Sequence, residues 1–182
     1  MVFVAFLRGI NVGGKHVLPM KDLTALLTGL DCGKVRTYIQ SGNAAFLAPP
    51  GKASVAELQQ TLGRALAKRF GFEVPVVVRT PAQLEAALKA NPFRATGAEP
   101  EQLYVGFLAE RPAAPAVKAL DPKRSPGDSF QVLGNDVFLH LPKGGAKTKL
   151  TNAWFDAGLK TVCTMRNVRT VQALVDLAGE IG

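Results

Sequence analysis

The chain is written twice, and that duplication constrains its fold more than any other feature. Residues 2–7 read Val-Phe-Val-Ala-Phe-Leu, and residues 103–108 read Leu-Tyr-Val-Gly-Phe-Leu. Both obey one pattern: aliphatic, aromatic, Val, small, Phe, Leu. The segments downstream of the two copies are alike in order. After the first comes a loop, then residues 19–30, where Met20, Leu23, Leu26, Leu27 and Leu30 fall at helical spacing. Residues 34–38 and 43–47 read as short strands around Gln40-Ser41-Gly42, a hairpin signal. Over residues 54–70 a second helix carries Val55, Leu58, Leu62, Leu66 and Phe70 on one stripe. Residues 74–79 read as a closing strand, and Pro75 suggests that it lies at a sheet edge.

The second copy is weaker. It offers a strand at 103–108, a short helix at 113–120, and a hairpin of 130–133 with 137–141 turning at Gly134-Asn135-Asp136. A helix at 151–157 stopped by Gly158 and a strand at 161–165 complete it. A terminal helix comes last, capped by Asn167 and buried through Val171, Leu174, Val175 and Ala178. The predicted class is α+β, with two ferredoxin-like α/β plaits (βαββαβ twice) and a C-terminal helix. Residues 1–80 form the first plait, 81–100 a connecting helix and loop, and 101–182 the second, degenerate plait with the terminal helix. The rival architecture is one continuous mixed sheet.

A length of 182 residues allows one large core or two small ones, so it does not choose between these. The apolar runs are strand-sized, and no membrane partner is expected. The N-terminus reads as the first strand rather than a signal peptide. Cys32 and Cys163 are too few for a disulfide framework or a zinc site, which suggests a reducing cytoplasm. Neither a cofactor nor a metal is indicated, and oligomeric state is left open. Net charge is +8, and it is uneven. Residues 1–80 hold ten Lys and Arg against four Asp and Glu. Such a surplus favours anionic partners, although Arg64, Lys68 and Arg69 also read simply as the solvated face of a helix.

The stretch Phe6-Leu7-Arg8-Gly9-Ile10-Asn11-Val12-Gly13-Gly14-Lys15-His16 matches the spacing of a phosphate-cradling P-loop through Gly9, Gly14 and Lys15. The magnesium-binding hydroxyl is missing, because His16 stands in its place. Val17-Leu18-Pro19 then separate the loop from the helix that should point its N–H groups at the phosphate. A nucleotide-hydrolysing P-loop is therefore rejected.

In a βαββαβ plait of strand order 4-1-3-2, the loop after the first strand and the hairpin between the second and third share one sheet edge. Residues 8–16 and 37–43 should then be neighbours. The edge gathers Arg8, Asn11, Lys15, Gln40, Ser41 and Asn43, with backbone N–H groups at Gly9, Gly13, Gly14 and Gly42. This set is rich in donors and holds no carboxylate, so it favours an anion. Only His16 offers proton transfer, and binding is favoured over catalysis. A purely structural use of the same residues, in turns and loop ties, stands beside that reading.

Leu7-Arg8-Gly9-Ile10-Asn11-Val12-Gly13-Gly14-Lys15, Thr37-Tyr38-Ile39-Gln40-Ser41-Gly42-Asn43 and Asn91-Pro92-Phe93 closely resemble an uncharacterised bacterial family, domain of unknown function 1697. Lys149-Leu150-Thr151-Asn152 and Thr164-Met165-Arg166-Asn167 resemble its C-terminal motifs. The chain departs from the family pattern at Met165, where a second Thr is usual, and at Val168, where an aromatic is usual. The resemblance implies two α/β-plait domains and no particular activity.

Remaining signals are weaker. Leu103-Tyr104-Val105-Gly106-Phe107-Leu108 is similar to the first strand of RNA-recognition motifs, but only Phe138 offers a matching aromatic on the hairpin. Lys143-Gly144-Gly145-Ala146-Lys147-Thr148-Lys149 is a second Gly/Lys loop leading into a helix. The expected function is a small cytoplasmic protein holding a phosphorylated or otherwise anionic small molecule. Arg8 and Lys15 would supply charge, with Asn11, Gly13, Gly14, Gln40, Ser41 and Asn43 orienting the ligand and Arg166 and Asn167 closing the site. The alternatives are sequence-tolerant nucleic-acid binding and a transferase or hydrolase using His16.

Overall fold

Each hexapeptide forms an inner strand of its own four-stranded antiparallel sheet in the computed structural model, which describes residues 1–51 and 54–182. The first copy contributes β1 (Val2–Leu7), α1 (Met20–Gly29), β2 (Gly33–Tyr38), β3 (Asn43–Leu47), α2 (Val55–Phe70) and β4 (Val76–Arg79). Its sheet runs β2-β3-β1-β4, so β4 is indeed an edge strand. After α3 (Pro81–Ala90) come β5 (Leu103–Leu108), α4 (Ala114–Lys118), β6 (Ser129–Leu133), β7 (Asp136–His140), α5 (Asn152–Leu159), β8 (Cys163–Asn167) and α6 (Val168–Gly179). The second sheet runs β6-β7-β5-β8, the same order in the second copy. The protein is thus a mixed α+β chain with two antiparallel sheets, and six α-helices are seen among the described residues. The single continuous sheet is excluded.

The chain divides into two compact units, residues 1–84 with 173–182, and residues 85–172. The terminal segment thus groups with the first half, whereas its place in the sequence assigns it to the second. In the first unit, Lys34 Nζ donates to the Ile181 carbonyl at 2.9 Å, and Arg36 lies 3.7 Å from Glu180. Phe3, Ala5 and Leu7 form one core with Leu23 and Leu27 of α1 and Leu58, Leu62 and Leu66 of α2. Val4, Phe6 and Val77, on the opposite sheet face, are fully buried as well. That burial explains why the hexapeptide is apolar throughout instead of alternating.

In the second unit, Leu108, Val137 and Leu139 pack with Phe155 and Leu159 of α5. The small residue at the fourth hexapeptide position has a reason here. A Cβ on Gly106 would sit 2.8 Å from Cys163 Sγ.

Several boundaries differ from the sequence expectation, among them the start of β4 and the end of α4, and two of the differences have a local cause. Helix α5 continues through Gly158 and ends at Lys160, whose φ of 59° makes it a left-handed cap. Gly158 marks a close approach instead of a stop: a Cβ there would lie 2.5 Å from Leu120 Cδ2. Strand β8 begins later than expected because Asp156 Oδ1 accepts the Cys163 N–H at 2.7 Å, holding the connection back. Asn167 does cap α6, accepting the Arg169 N–H at 2.9 Å.

Candidate functional site

The loop after β1 and the β2–β3 turn meet at one edge of the first sheet, and a single side chain fastens them. Asn11 Nδ2 donates to the Gln40 carbonyl and to the Leu18 carbonyl, both at 2.9 Å. Its Oδ1 accepts the Leu18 N–H at 2.8 Å. Asn suits this place because its φ is 55°, in the left-handed region that Asn tolerates better than most residues. Below the clasp, the Leu7 N–H donates to the Gly42 carbonyl at 2.7 Å. Gly42 is required twice over. Its φ is +83°, and a Cβ would come within 2.7 Å of both Leu7 Cβ and Ile10 Cδ1.

Beyond Asn11 the loop forms a miniature hairpin. Asn11 N–H donates to the His16 carbonyl and Lys15 N–H to the Val12 carbonyl, each at 3.1 Å. Gly13 and Gly14, with φ of 58° and 70°, make the two-residue turn between them. The P-loop spacing therefore sits in a hairpin, and α1 begins only at Met20. Residues 12–17 are all exposed. Among the described residues the Lys15 ammonium has no hydrogen-bond or ion-pair partner, and neither do the N–H groups of Gly13 and Gly14.

The structure separates the edge residues by role. Asn43 is fully buried and donates to the Tyr38 carbonyl at 3.0 Å and to Ser41 Oγ at 2.9 Å. Asn43 and Asn11 are thus committed to building the edge. Arg8 is half-buried, while Gln40, Ser41 and Lys15 are exposed. His16 Nδ1 lies 3.1 Å from the Gly9 carbonyl, which can only accept, so Nδ1 donates. Its ring stacks on Phe72 with centroids 4.5 Å apart and planes 11° from parallel. Phe72 carries no sequence signal for this role, because it lies outside every helical or strand stripe.

Arg166 and Asn167 lie on β8, in the second unit. Arg166 Nη1 donates to the Met165 carbonyl at 3.0 Å, and burial lowers its pKa to about 10. Arg79 holds the corresponding place in the first copy, since Val4 pairs with Arg79 and Val105 with Arg166. Asn167 Nδ2 is shared among the carbonyls of Pro100, Glu101 and Leu103 at 3.0–3.1 Å, so its amide is spent within its own unit.

Two weaker signals resolve structurally. Tyr104 packs in the core with Trp154 and Met165, its hydroxyl accepting the Gly145 N–H at 3.3 Å, and Phe138 is buried. No open base-stacking platform exists on those residues. The second Gly/Lys loop spends the Gly145 N–H on Tyr104 and the Lys149 N–H on Ser125 Oγ at 3.1 Å. A groove of about 420 Å³ runs between α1 and α2, lined by Leu26, Gly29, Leu30, Ala65, Lys68 and Arg69, and takes in no residue of the loop edge. Among the described residues no three His, Cys, Asp or Glu side chains gather as a metal site. No helix there is long and apolar enough to cross a membrane.

Residues 1–138 match the model of a family described as protein of unknown function (DUF1697). The chain belongs to this family. The match takes in the loop-edge motifs and Asn91-Pro92-Phe93. It stops short of Lys149–Asn152 and Thr164–Asn167, so those C-terminal resemblances lie outside it. No curated protein matches the sequence. A solved structure, that of conserved bacterial protein SP0830 from Streptococcus pneumoniae, matches with a TM-score of 0.70 at 22% identity, covering 97% of this chain and 98% of that one. At that identity the likeness concerns the fold alone.

Proposed function

We propose that the loop edge binds a phosphate-bearing or otherwise anionic ligand. The observation that carries this reading is the unpartnered Lys15 ammonium beside the free Gly13 and Gly14 N–H groups, on a hairpin held in place by Asn11. Residues 8–21 and 33–48 contain no Asp or Glu. An anion approaching this edge meets donors without a carboxylate from either segment. Arg8 and Lys15 supply charge, Gly13 and Gly14 supply backbone donors, and Gln40 and Ser41 orient the ligand. Asn11 and Asn43 act as positioning residues. We read each four-stranded sheet with its two helices as a ferredoxin-like plait, and the protein as cytoplasmic; the βαββαβ order and the strand orders support the first reading.

The test is mass spectrometry of gently denatured native protein, followed by a thermal-shift screen of nucleotides, sugar phosphates and short RNAs. A ligand at about 100 times its dissociation constant stabilises the fold by about 2.7 kcal/mol. Lys15→Ala should abolish the shift while leaving the unliganded melting temperature nearly unchanged. If only long nucleic acid stabilises the protein and about 0.2 M salt erases the effect, the small-ligand reading is wrong and the basic N-terminal half is a nucleic-acid surface.

A further inference from the structure

Five large apolar side chains are exposed among the described residues, and three of them stand on the two loops of this edge. Val12 is 69% exposed, Val17 62% and Ile39 50%. Each of the three is a chain neighbour of a residue in the Asn11 clasp. Val12 comes directly after Asn11 itself, Val17 precedes the Leu18 whose N–H and carbonyl Asn11 holds, and Ile39 precedes the Gln40 whose carbonyl it also holds. The backbone that carries these aliphatic residues is therefore fixed by the hydrogen bonds that also hold the Lys15 hairpin to the sheet edge.

Ile39 is the most telling member. Its φ is 49°, a conformation that is a genuine outlier for a β-branched side chain. Asn or Gly would fill such a turn position without strain. Burial does not compensate, because half of the side chain faces water. A strained, exposed isoleucine at the same sheet edge as two exposed valines is what a contact surface for an apolar partner looks like.

The same two segments carry Arg8, Lys15, His16 and Lys21, and the acids that flank them in sequence are Asp22, in the first turn of α1, and Asp31, while Glu73 follows the Phe72 on which His16 stacks. The partner must accordingly be both aliphatic and anionic. Protein hot spots draw on Trp, Tyr and Arg and under-use Val, and base stacking needs aromatic rings. The exposed apolar side chains of this edge are aliphatic only. They stand on turn tips rather than in a groove, which suits a deformable partner.

We propose that this edge docks peripherally on an anionic lipid bilayer, with Val12, Val17 and Ile39 entering the headgroup–acyl boundary. Lys15, Arg8 and the Gly13–Gly14 N–H groups then face headgroup phosphates. Docking of this kind needs no membrane-spanning helix. The inference rests on the anion-binding reading of the same edge and names the source of the anion.

The test is co-sedimentation of the full chain with vesicles of phosphatidylcholine alone and with about one-third phosphatidylglycerol added. The protein should sediment only with the anionic vesicles. Ile39→Asn should weaken that binding about tenfold or more, by loss of one of the three inserted side chains. Because Asn suits the left-handed backbone, the variant should melt no lower than the parent, so its loss of binding cannot come from misfolding. Lys15→Ala should weaken binding about fivefold, the share of one basic residue near an anionic surface. Failure of the parent protein to sediment, equal sedimentation with neutral vesicles, or undiminished binding by Ile39→Asn would each overturn the docking proposal. If soluble phosphates still shift the melting temperature in that case, the anion site stands and only its lipid source falls. Vesicle binding lost in Ile39→Asn, without any response to soluble phosphates, supports docking and restricts the anion to a bilayer headgroup.

Discussion

Replacing Asn11 by Ala tests whether one carboxamide holds the loop edge together. The substitution removes three hydrogen bonds, two donated by Nδ2 and one accepted by Oδ1. Each such bond contributes about 1 kcal/mol net, and the Leu18 N–H left behind belongs to a fully buried residue. The backbone adds to this, because Ala at a φ of 55° costs about 1 kcal/mol more than a residue suited to the left-handed region. The expected destabilisation is about 4 kcal/mol, and a fall in melting temperature of about 10 °C for a chain of this length. Asn11→Gly loses the same hydrogen bonds without the steric penalty, so it should sit about 1 kcal/mol above Asn11→Ala. Calorimetry is the assay of choice, since the only tryptophan, Trp154, lies in the second unit and would report poorly on the first. An Asn11→Ala protein within about 0.5 kcal/mol of the parent would refute the clasp. Equal stability of the Ala and Gly variants would refute the backbone part of the reasoning.

Gly42→Ala should be among the most damaging small substitutions in the chain, at about 3 kcal/mol, because it combines a positive φ with two contacts at 2.7 Å; urea denaturation reads it directly. Gly158→Ala sets helix propensity, a gain of about 1 kcal/mol, against a 2.5 Å clash with Leu120, and a net loss is expected. Pairing it with Leu120→Ala should recover part of that loss in a double-mutant cycle, and additive effects would show that the close approach is not real. Lys15→Ala should change the unliganded melting temperature by less than about 1 °C, as befits an exposed cation with no partner, and a large drop would make the hairpin structural instead of ligand-binding.

How much can be read from the residues depends on how local the governing physics is. The hexapeptide repeat, the stripe from Val55 to Phe70 and the turn chemistry around Gly42 are local signals, and they carry the element order and the adjacency of the two loops. The adjacency arises because an antiparallel sheet of this connectivity has no other edge on which to put them. Boundaries escape the sequence where a distant neighbour decides them. Gly158 reads as a helix stop until Leu120 is found against it, and β8 starts late because Asp156 takes the Cys163 N–H. The same limit applies at the candidate site. Sequence chemistry groups Asn11 and Asn43 with Lys15 as ligand contacts, since all three are polar and lie in the loops.

Only tertiary structure divides that group. Asn43 is buried and Asn11 spans three backbone groups from two loops, so their hydrogen-bonding capacity is consumed in building the edge, while Lys15 keeps its charge for solvent. It also decides that Ile39 stands half-exposed in a left-handed turn and that His16 lies flat on Phe72. Neither has a sequence signal, because Ile is disfavoured at such a turn and Phe72 belongs to no periodic pattern. Composition and periodicity by themselves determined that the chain folds as two α+β copies with a basic first half. Which of its polar groups are spent and which remain available was decided by long-range contacts, because hydrogen-bond satisfaction depends on the whole fold and not on neighbours in the chain.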